Sequence, residues 1–323
     1  MTARANMPES GNDVLDYRLS LRLGPTHARH RLNMERHKEA RIFGEDHRAF
    51  HLENIYSAPG FIRHCLQLVG LWRRGQRNSR QLRLVHQRFD LPGLAEAFEG
   101  FRILHLTDLH VDMDAANLQA LMDRIAPLEY DLCVLTGDYR GLTYGPIDDA
   151  LAGMRALRSV IKGEPIGVFG NHDSIRMLPA LEDMGYRMLL NEHLPIERGG
   201  ATLYLAGVDD AHFYKAHNLH RAGDGIPEHG TSILLSHTPE IWQEAAHAGF
   251  DLFLCGHTHG GQICLPGGVP VTLDAHCPRA LGRGYWQRFA MQGYTSPGSG
   301  TSVVNVRLNC PPEVTIHTIH SAT

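Results

Sequence analysis

Five short apolar runs in this chain each stop at a carboxylate, a carboxamide or an imidazole. Phe101–Leu106 leads into Thr107-Asp108-Leu109-His110, and Asp131–Leu135 into Thr136-Gly137-Asp138. Ile166–Phe169 leads into Gly170-Asn171-His172-Asp173, Ser232–Leu235 into Ser236-His237, and Asp251–Leu254 into Cys255-Gly256-His257-Thr258-His259. Short apolar runs bounded by such punctuation read as buried strands. Between them, helical spacing occurs at Asn117–Ile125, Pro146–Val160, Met177–Met184 and Pro239–Ala248. Further strands are expected at Arg83–Phe89, Arg187–Leu190, Thr202–Val208, Val303–Leu308 and Val314–Ile319, with a looped or helical connection over Leu91–Phe98. Strands alternating with helices argue for a layered α/β body. There is no internal repeat.

In open α/β sheets, sites form outside the carboxyl ends of the strands, so the five polar ends are expected to converge. Any one of them has an ordinary explanation. Asp or Asn after a strand is common turn chemistry, and an isolated His-x-His is more often two surface histidines. All five ends carrying ligand types by chance is a poor account. Asp108, His110, Asp138, Asn171, His237, His257 and His259 make seven ligands. With Asp138 shared, seven suffice for two divalent ions about 3.5–4 Å apart. The mixed oxygen and nitrogen set suits Mn, Fe or Zn better than Ca or Mg. Weaker candidates for substrate contact are Arg140, Asp209, Asp210, His212, Tyr214 and Gln262. Turn capping explains the Asp209–Tyr214 group equally well, and Gln262 has its own loop backbone as an alternative partner. His105 lies within a strand and reads as a core histidine.

The ordered set DLH, GD, GNHD, H and GHTH resembles the calcineurin-like metallophosphoesterase superfamily, from about residue 81 to the C-terminus. Gly256–Gln262, with Asn309-Cys310-Pro311-Pro312-Glu313-Val314, is similar to the branch that holds membrane-associated phosphoesterases and UDP-diacylglucosamine pyrophosphatases. The resemblance implies a four-layer α/β/β/α sandwich of two mixed sheets. It implies one ion on Asp108, His110, His259 and bridging Asp138, and a second on Asp138, Asn171, His237 and His257. It also implies hydrolysis of a phosphodiester or pyrophosphate bond by a hydroxide bridging the two ions. His172 is expected to protonate the leaving oxygen, and Asp173 to orient that imidazole and favour its charged form.

The first quarter of the chain differs in charge. Residues 1–88 carry 16 Lys and Arg against 8 Asp and Glu, while the remainder carries 15 against 27. Residues 1–80 are expected to form a basic N-terminal arm, with one helix near Ala28–Arg41 and an amphipathic helix near 61–74. Residues 81–323 are expected to form the catalytic domain. The amphipathic stretch suits either docking on the body or an anionic membrane surface. The expected location is therefore cytoplasmic, either free or peripheral on the cytoplasmic membrane, and the expected partner is a phosphoester, with a lipid-linked one as the leading candidate. Two rivals stand: a soluble phosphatase or cyclic-nucleotide phosphodiesterase, and a non-enzymatic adaptor using the basic arm. The arm has few aromatics to stack bases, which argues against nucleic acid. The six cysteines form no CxxC pair and read as reduced thiols, with Cys264 and Cys277 as conceivable neighbours. No run approaches the roughly 18 apolar residues that span a bilayer.

Overall fold

The computed structural model describes residues 11–43 and 52–322, leaving aside the side chains of 11, 12, 41–43 and 52–58. The strands in chain order are β1 (Arg83–Leu91), β2 (Phe101–Leu106), β3 (Leu132–Thr136), β4 (Ile166–Val168), β5 (Arg187–Met188), β6 (Glu192–Arg198) and β7 (Ala201–Gly207). They continue as β8 (Ser232–Leu235), β9 (Leu252–Cys255), β10 (Cys264–Leu265), β11 (Val269–Pro270), β12 (Gly284–Arg288), β13 (Met291–Thr295) and β14 (Glu313–Ser321). One sheet runs β1-β14-β2-β3-β4-β5 and the other β12-β13-β9-β8-β7-β6, while β10 and β11 pair as a small hairpin. Both large sheets are mixed: β2, β3, β4 and β5 are parallel with β14 antiparallel to β2, and β7, β8, β9 and β13 are parallel with antiparallel edges.

Successive side chains on a strand face opposite ways, and the core follows that period. Ile103, Leu132, Val134, Ile166 and Val168 from the first sheet meet Leu203, Leu205, Ile233, Leu235, Leu252 and Leu254 from the second. The intervening residues Leu104, Leu106, Cys133 and Leu135 turn outward. They pack under α5 (Ala115–Ile125), α6 (Asp148–Arg158) and α7 (Leu178–Asp183). On the far side, Ala206, Leu234 and Phe253 pack under α8 (Leu219–Gly223) and α9 (Trp242–His247). The result is four layers, helix, sheet, sheet, helix. His105 lies between the sheets, fully buried, with Nδ1 3.1 Å from His317 Nε2 and Nε2 2.8 Å from Thr136 Oγ1.

The N-terminal residues form two helices, α1 (Gly11–Leu23) and α2 (Pro25–Phe43). Leu19, Leu23, Ala28 and Leu32 from them join the same core as α5, α6 and α7. Arg22 donates to Glu182, Glu192 and the Met188 carbonyl, which ties α1 to the first sheet's edge. Two helices follow, α3 (Leu52–Leu68) and α4 (Trp72–Asn78), in place of one over 61–74. Gly70, at φ 73°, provides the left-handed residue that breaks them. Pro59 lies inside α3. Leu66, Ile62, Leu71 and Trp72 pack on Val304, Val306, Leu308 and Ile263.

The expected strand at Val303–Leu308 is absent: that segment is a loop. Val304, Val306 and Leu308 fill the gap beneath α3 and α4 rather than a ladder, and Arg307 N donates to Gly75 O across it. β6, β12 and β13 are strands that the hydrophobic pattern does not announce. All six cysteines are free thiols, and Cys264 interacts with Cys310.

Leu32, 4% exposed on α2, tests how firmly the N-terminal helices belong to the body. Leu32→Ala is expected to cost about 2–4 kcal/mol, because a buried leucine leaves a cavity. Denaturant unfolding should remain a single transition, and two separable transitions would show α1 and α2 to be an independent unit.

Candidate metal centre

All five polar ends project from the carboxyl ends of parallel strands. β2 delivers Asp108 and His110, β3 Asp138, β4 Asn171 and His172, β8 His237, and β9 His257 and His259. Turning the chain sharply at these ends forces an unusual backbone. Asp108, His110, Asp138, His257 and His259 all have left-handed φ values, between 42° and 71°. A left-handed non-glycine residue costs on the order of 1 kcal/mol or more, and such residues cluster at functional sites. The strand ends also approach too closely for side chains at certain glycines. A Cβ at Gly256 would lie 2.2 Å from Thr107 Oγ1 and 2.4 Å from Asp108 Oδ2, and one at Gly170 would lie 2.3 Å from Asp138 Oδ1.

The hydrogen bonds fix which nitrogens face inward. His110 Nδ1 lies 2.7 Å from the Arg140 carbonyl, and His237 Nδ1 lies 2.7 Å from the Thr136 carbonyl. A carbonyl only accepts, so these nitrogens carry the protons and each Nε2 turns towards the cleft. His237 Nε2 then faces Asn171 Oδ1 at 3.0 Å, Asp138 Oδ2 at 3.2 Å and His257 Nδ1 at 3.2 Å. His110 Nε2 faces His259 Nε2 at 3.2 Å, which in turn lies 3.3 Å from Asp108 Oδ1. Two clusters of the expected ligands result, Asp108 with His110 and His259, and Asp138 with His237 and His257, and a third group joins His257 to His212 and Glu240. Asp138 lies between them, with Oδ2 3.9 Å from His110 Nε2.

Lone pairs brought this close repel one another unless positive charge sits among them. Burial pulls His110 down to about 4 and holds His257 and His259 well below the ordinary histidine value, so these rings are neutral, as a metal requires. Burial also raises Asp108 to about 6. His237 goes the other way: burial opposes its charge, but the Asp138 carboxylate prevails and raises it to about 10. Asp138, disfavoured by burial, is held well below the carboxylate range by His237. The space around Asp138 therefore demands a cation, from a proton or from a metal. With a metal ion in place of the His237 proton, four imidazoles, two carboxylates and a carboxamide oxygen make a donor set that fits divalent ions.

Other expected site residues fare differently. Asp173 does not face the His172 ring. Its carboxylate is fully buried and accepts from the backbone N–H groups of Asp138, Tyr139 and Gly170, each at 2.8 Å. His172 Nδ1 pairs instead with Thr143 Oγ1 at 3.1 Å, and its Nε2 lies 4.0 Å from Asp138 Oδ2. The Arg140 Nη2 donates to the carbonyls of Tyr144, Gly145 and Pro146. Asp209 is buried against His27 and Arg31. Gln262 bonds the backbone of Ser302 and Val304, the loop alternative. Asp210 caps the N–H groups of His212, Phe213 and Tyr214, and Tyr214 is buried beneath Arg31.

Of the weaker candidates, His212 reaches the centre. Its ring lies 4.2 Å from that of His257, and its Nδ1 lies 2.9 Å from Glu240 Oε1, whose hydrogen bond raises it. Glu240, Thr143 and the Thr136 and Arg140 carbonyls escaped sequence reasoning. A backbone carbonyl leaves no trace in residue type, and Glu240 lies within a helical stretch with no ligand spacing around it.

Residues 101–261 match the calcineurin-like phosphoesterase family. YpbG of Bacillus subtilis strain 168 is 30% identical over 226 residues, spanning 67% of this chain and 80% of the relative. The chain belongs to the calcineurin-like phosphoesterase family. Two further relatives of this phosphoesterase are the uncharacterized metallophosphoesterase YkoQ of B. subtilis strain 168 and the phosphodiesterase YaeI of Escherichia coli K12. YkoQ is 29% identical over 259 residues, 76% of this chain and 93% of its own, and YaeI is 28% identical over 232 residues, 67% and 81%. The phosphoesterase is thus a metal-dependent phosphoric ester hydrolase.

Metal analysis of purified protein will test how the ligands are divided. His257→Ala and His259→Ala are each expected to lower bound metal from about two ions per chain to about one, and the double substitution to near zero. Asp138→Asn alone should match the double. Full retention in the double variant would contradict the two-cluster arrangement.

Proposed function

We propose that this phosphoesterase hydrolyses a phosphodiester or pyrophosphate bond at a two-ion centre, with His172 as the acid for the leaving oxygen. One ion would be held by Asp108, His110, His259 and shared Asp138, and the other by Asp138, Asn171, His237 and His257. When bound, such ions acidify coordinated water and neutralise charge on phosphoryl oxygens. Mn, Fe and Zn all suit the donors. The observation that carries the reading is the shared position of Asp138, flanked by both imidazole clusters and by the His172 ring. His172 is partly exposed, as a residue meeting substrate must be. Its backbone N–H donates to Asp138 Oδ1 at 2.9 Å, which fixes the ring beside the shared ligand. Thr143 Oγ1 holds Nδ1, leaving Nε2 towards the cleft to give a proton to the departing oxygen. Asn171, paired with His237, would hold a phosphoryl oxygen as well as an ion.

A lipid-linked substrate at an anionic membrane surface is the finer form of this reading. Phe61 and Leu68, seven residues apart on one face of α3, are 69% and 74% exposed, and Val69 is 66% exposed. Arg73, Arg74 and Arg77 on α4 are exposed beside them, which suits anionic head groups. Among the described residues no helix is long and apolar enough to cross a membrane.

His172→Ala should lower kcat about 100-fold or more on esters with poor leaving groups and much less on an activated aryl ester. Equal loss on both would remove the acid role. A panel of mono-, di-, cyclic and pyrophosphate esters, with and without a lipid tail, will separate the substrate classes. Anionic liposomes should retain the protein and release Phe61→Ser/Leu68→Ser/Val69→Ser. Negligible binding by both would end the membrane reading and favour a soluble ester.

A further inference from the structure

The loop from Gly170 to Ile175 carries Asn171 and His172, and α2 grips it from outside the metal centre. Arg31 and Glu35 are one helical turn apart on the buried face of α2, at 0% and 9% exposure. Arg31 Nη1 donates to Glu35 Oε1 at 2.8 Å, and Nη2 donates to the Asp173 carbonyl at 3.1 Å. Its Nε lies 3.3 Å from Asp209, and the guanidinium sits 3.4 Å over the Tyr214 ring. Glu35 takes the next two groups of the loop, the Ser174 hydroxyl and the Ile175 N–H, both at 2.7 Å. Three consecutive residues after His172 are thus bonded to two side chains of one helix. From the opposite side, the Asp173 carboxylate bonds the N–H groups of Asp138, Tyr139 and Gly170.

We infer that Arg31 and Glu35 are positioning residues for the reaction, holding the loop so that the His172 ring meets the leaving oxygen at a fixed place. This inference rests on the proposed acid role of His172. Two charges removed from water are kept only where their bonds are fully used, and here every bond named ends on the loop, on the turn behind it or within the pair. Placement errors of about 1 Å can cost on the order of 100-fold in rate, so the grip has a catalytic consequence. The gripping helix lies outside residues 101–261, the part that matches the family. The N-terminal helices therefore supply part of this enzyme's catalytic precision.

Glu35→Gln preserves shape while removing the charge, and Ser174→Ala, should the first variant fold poorly, removes the hydroxyl's bond to Glu35 together with its bond from Arg176 N–H. Both are expected to lower kcat about tenfold on esters with poor leaving groups, with little change on an activated aryl ester and unchanged KM. Combined with His172→Ala, neither should lower kcat further. Peptide-level hydrogen exchange across 170–175 should quicken in both, while exchange in β8 and β9 stays as in the parent. Equal losses on both ester types, additive with His172→Ala, would overturn the inference and reduce the pair to fold stabilisers. Unchanged exchange at 170–175 would overturn it also. If His172→Ala itself shows no dependence on leaving group, the acid role fails, and the exchange result alone still decides whether the pair holds the loop.

Discussion

The buried carboxylate of Asp173 holds the ends of β3 and β4 together, and the centre depends on that junction. A carboxylate stripped of water is costly unless its oxygens are bonded, and here three backbone N–H groups satisfy them. Those donors belong to Asp138, Tyr139 and Gly170, so one side chain sets where the shared ligand sits and where the Asn171 loop begins. Burial pushes Asp173 up to about 7, which reflects how strongly desolvation and the nearby Asp138 weigh against its charge. The left-handed conformation at Asp138 persists because this junction over-determines it. Gly170 completes the arrangement by letting Asp138 Oδ1 come within a distance that a side chain would forbid.

The same logic of surrounding support extends outward. His110 and His237 are aimed by the carbonyls of Arg140 and Thr136, themselves parts of the β3 end. Arg307, fully buried, donates to the carbonyls of His259, Pro297 and Gly300 and so ties the β9 loop to the segment after β13. The ligands are therefore carried by a shell of carbonyls and cations drawn from distant parts of the chain. This is how a set of residues scattered over some 150 positions comes to share one small space, at distances a few ångströms wide.

Much of this was legible in the residues. The buried strands are short apolar runs, and their ends are the places where chemistry is exposed, so Asp108, His110, Asp138, Asn171, His237, His257 and His259 stand out together. Ile103–Leu106 and Leu132–Leu135 are largely apolar on both faces because one packs between the sheets and the other under the helices, so only the structure separates the two. What failed to show follows from physics as well. Asp173 has the same residue type as a catalytic orienter, and only the direction of its carboxylate separates the two roles. Arg140 and Asp209 are alike in this, since residue type does not tell that one is bonded to the carbonyls of Tyr144, Gly145 and Pro146 and the other to His27 and Arg31. Edge strands such as β6 and β12 carry mixed polar sequences, because only one side is covered. Val303–Leu308 alternates like a strand, yet Val304, Val306 and Leu308 pack beneath α3 and α4. The basic composition of the N-terminal residues conceals a buried face, because Arg31 and Arg22 are paired with acids from elsewhere.

The order β1-β14-β2 has a consequence for the birth of the molecule. Arg83 finds its partner at Glu313, and the last strand inserts between β1 and β2 rather than adding to an edge. While the ribosome is still extending the chain, β1 has no neighbour on which to lie, and the gap between it and β2 stays open. The helical layer and the parallel strands β2 to β5 are free to assemble early, but the sheet closes only after β14 has left the exit tunnel. Until then β1 and β2 expose unpaired backbone, so nascent chains stalled before residue 313 should be the species most in need of a chaperone.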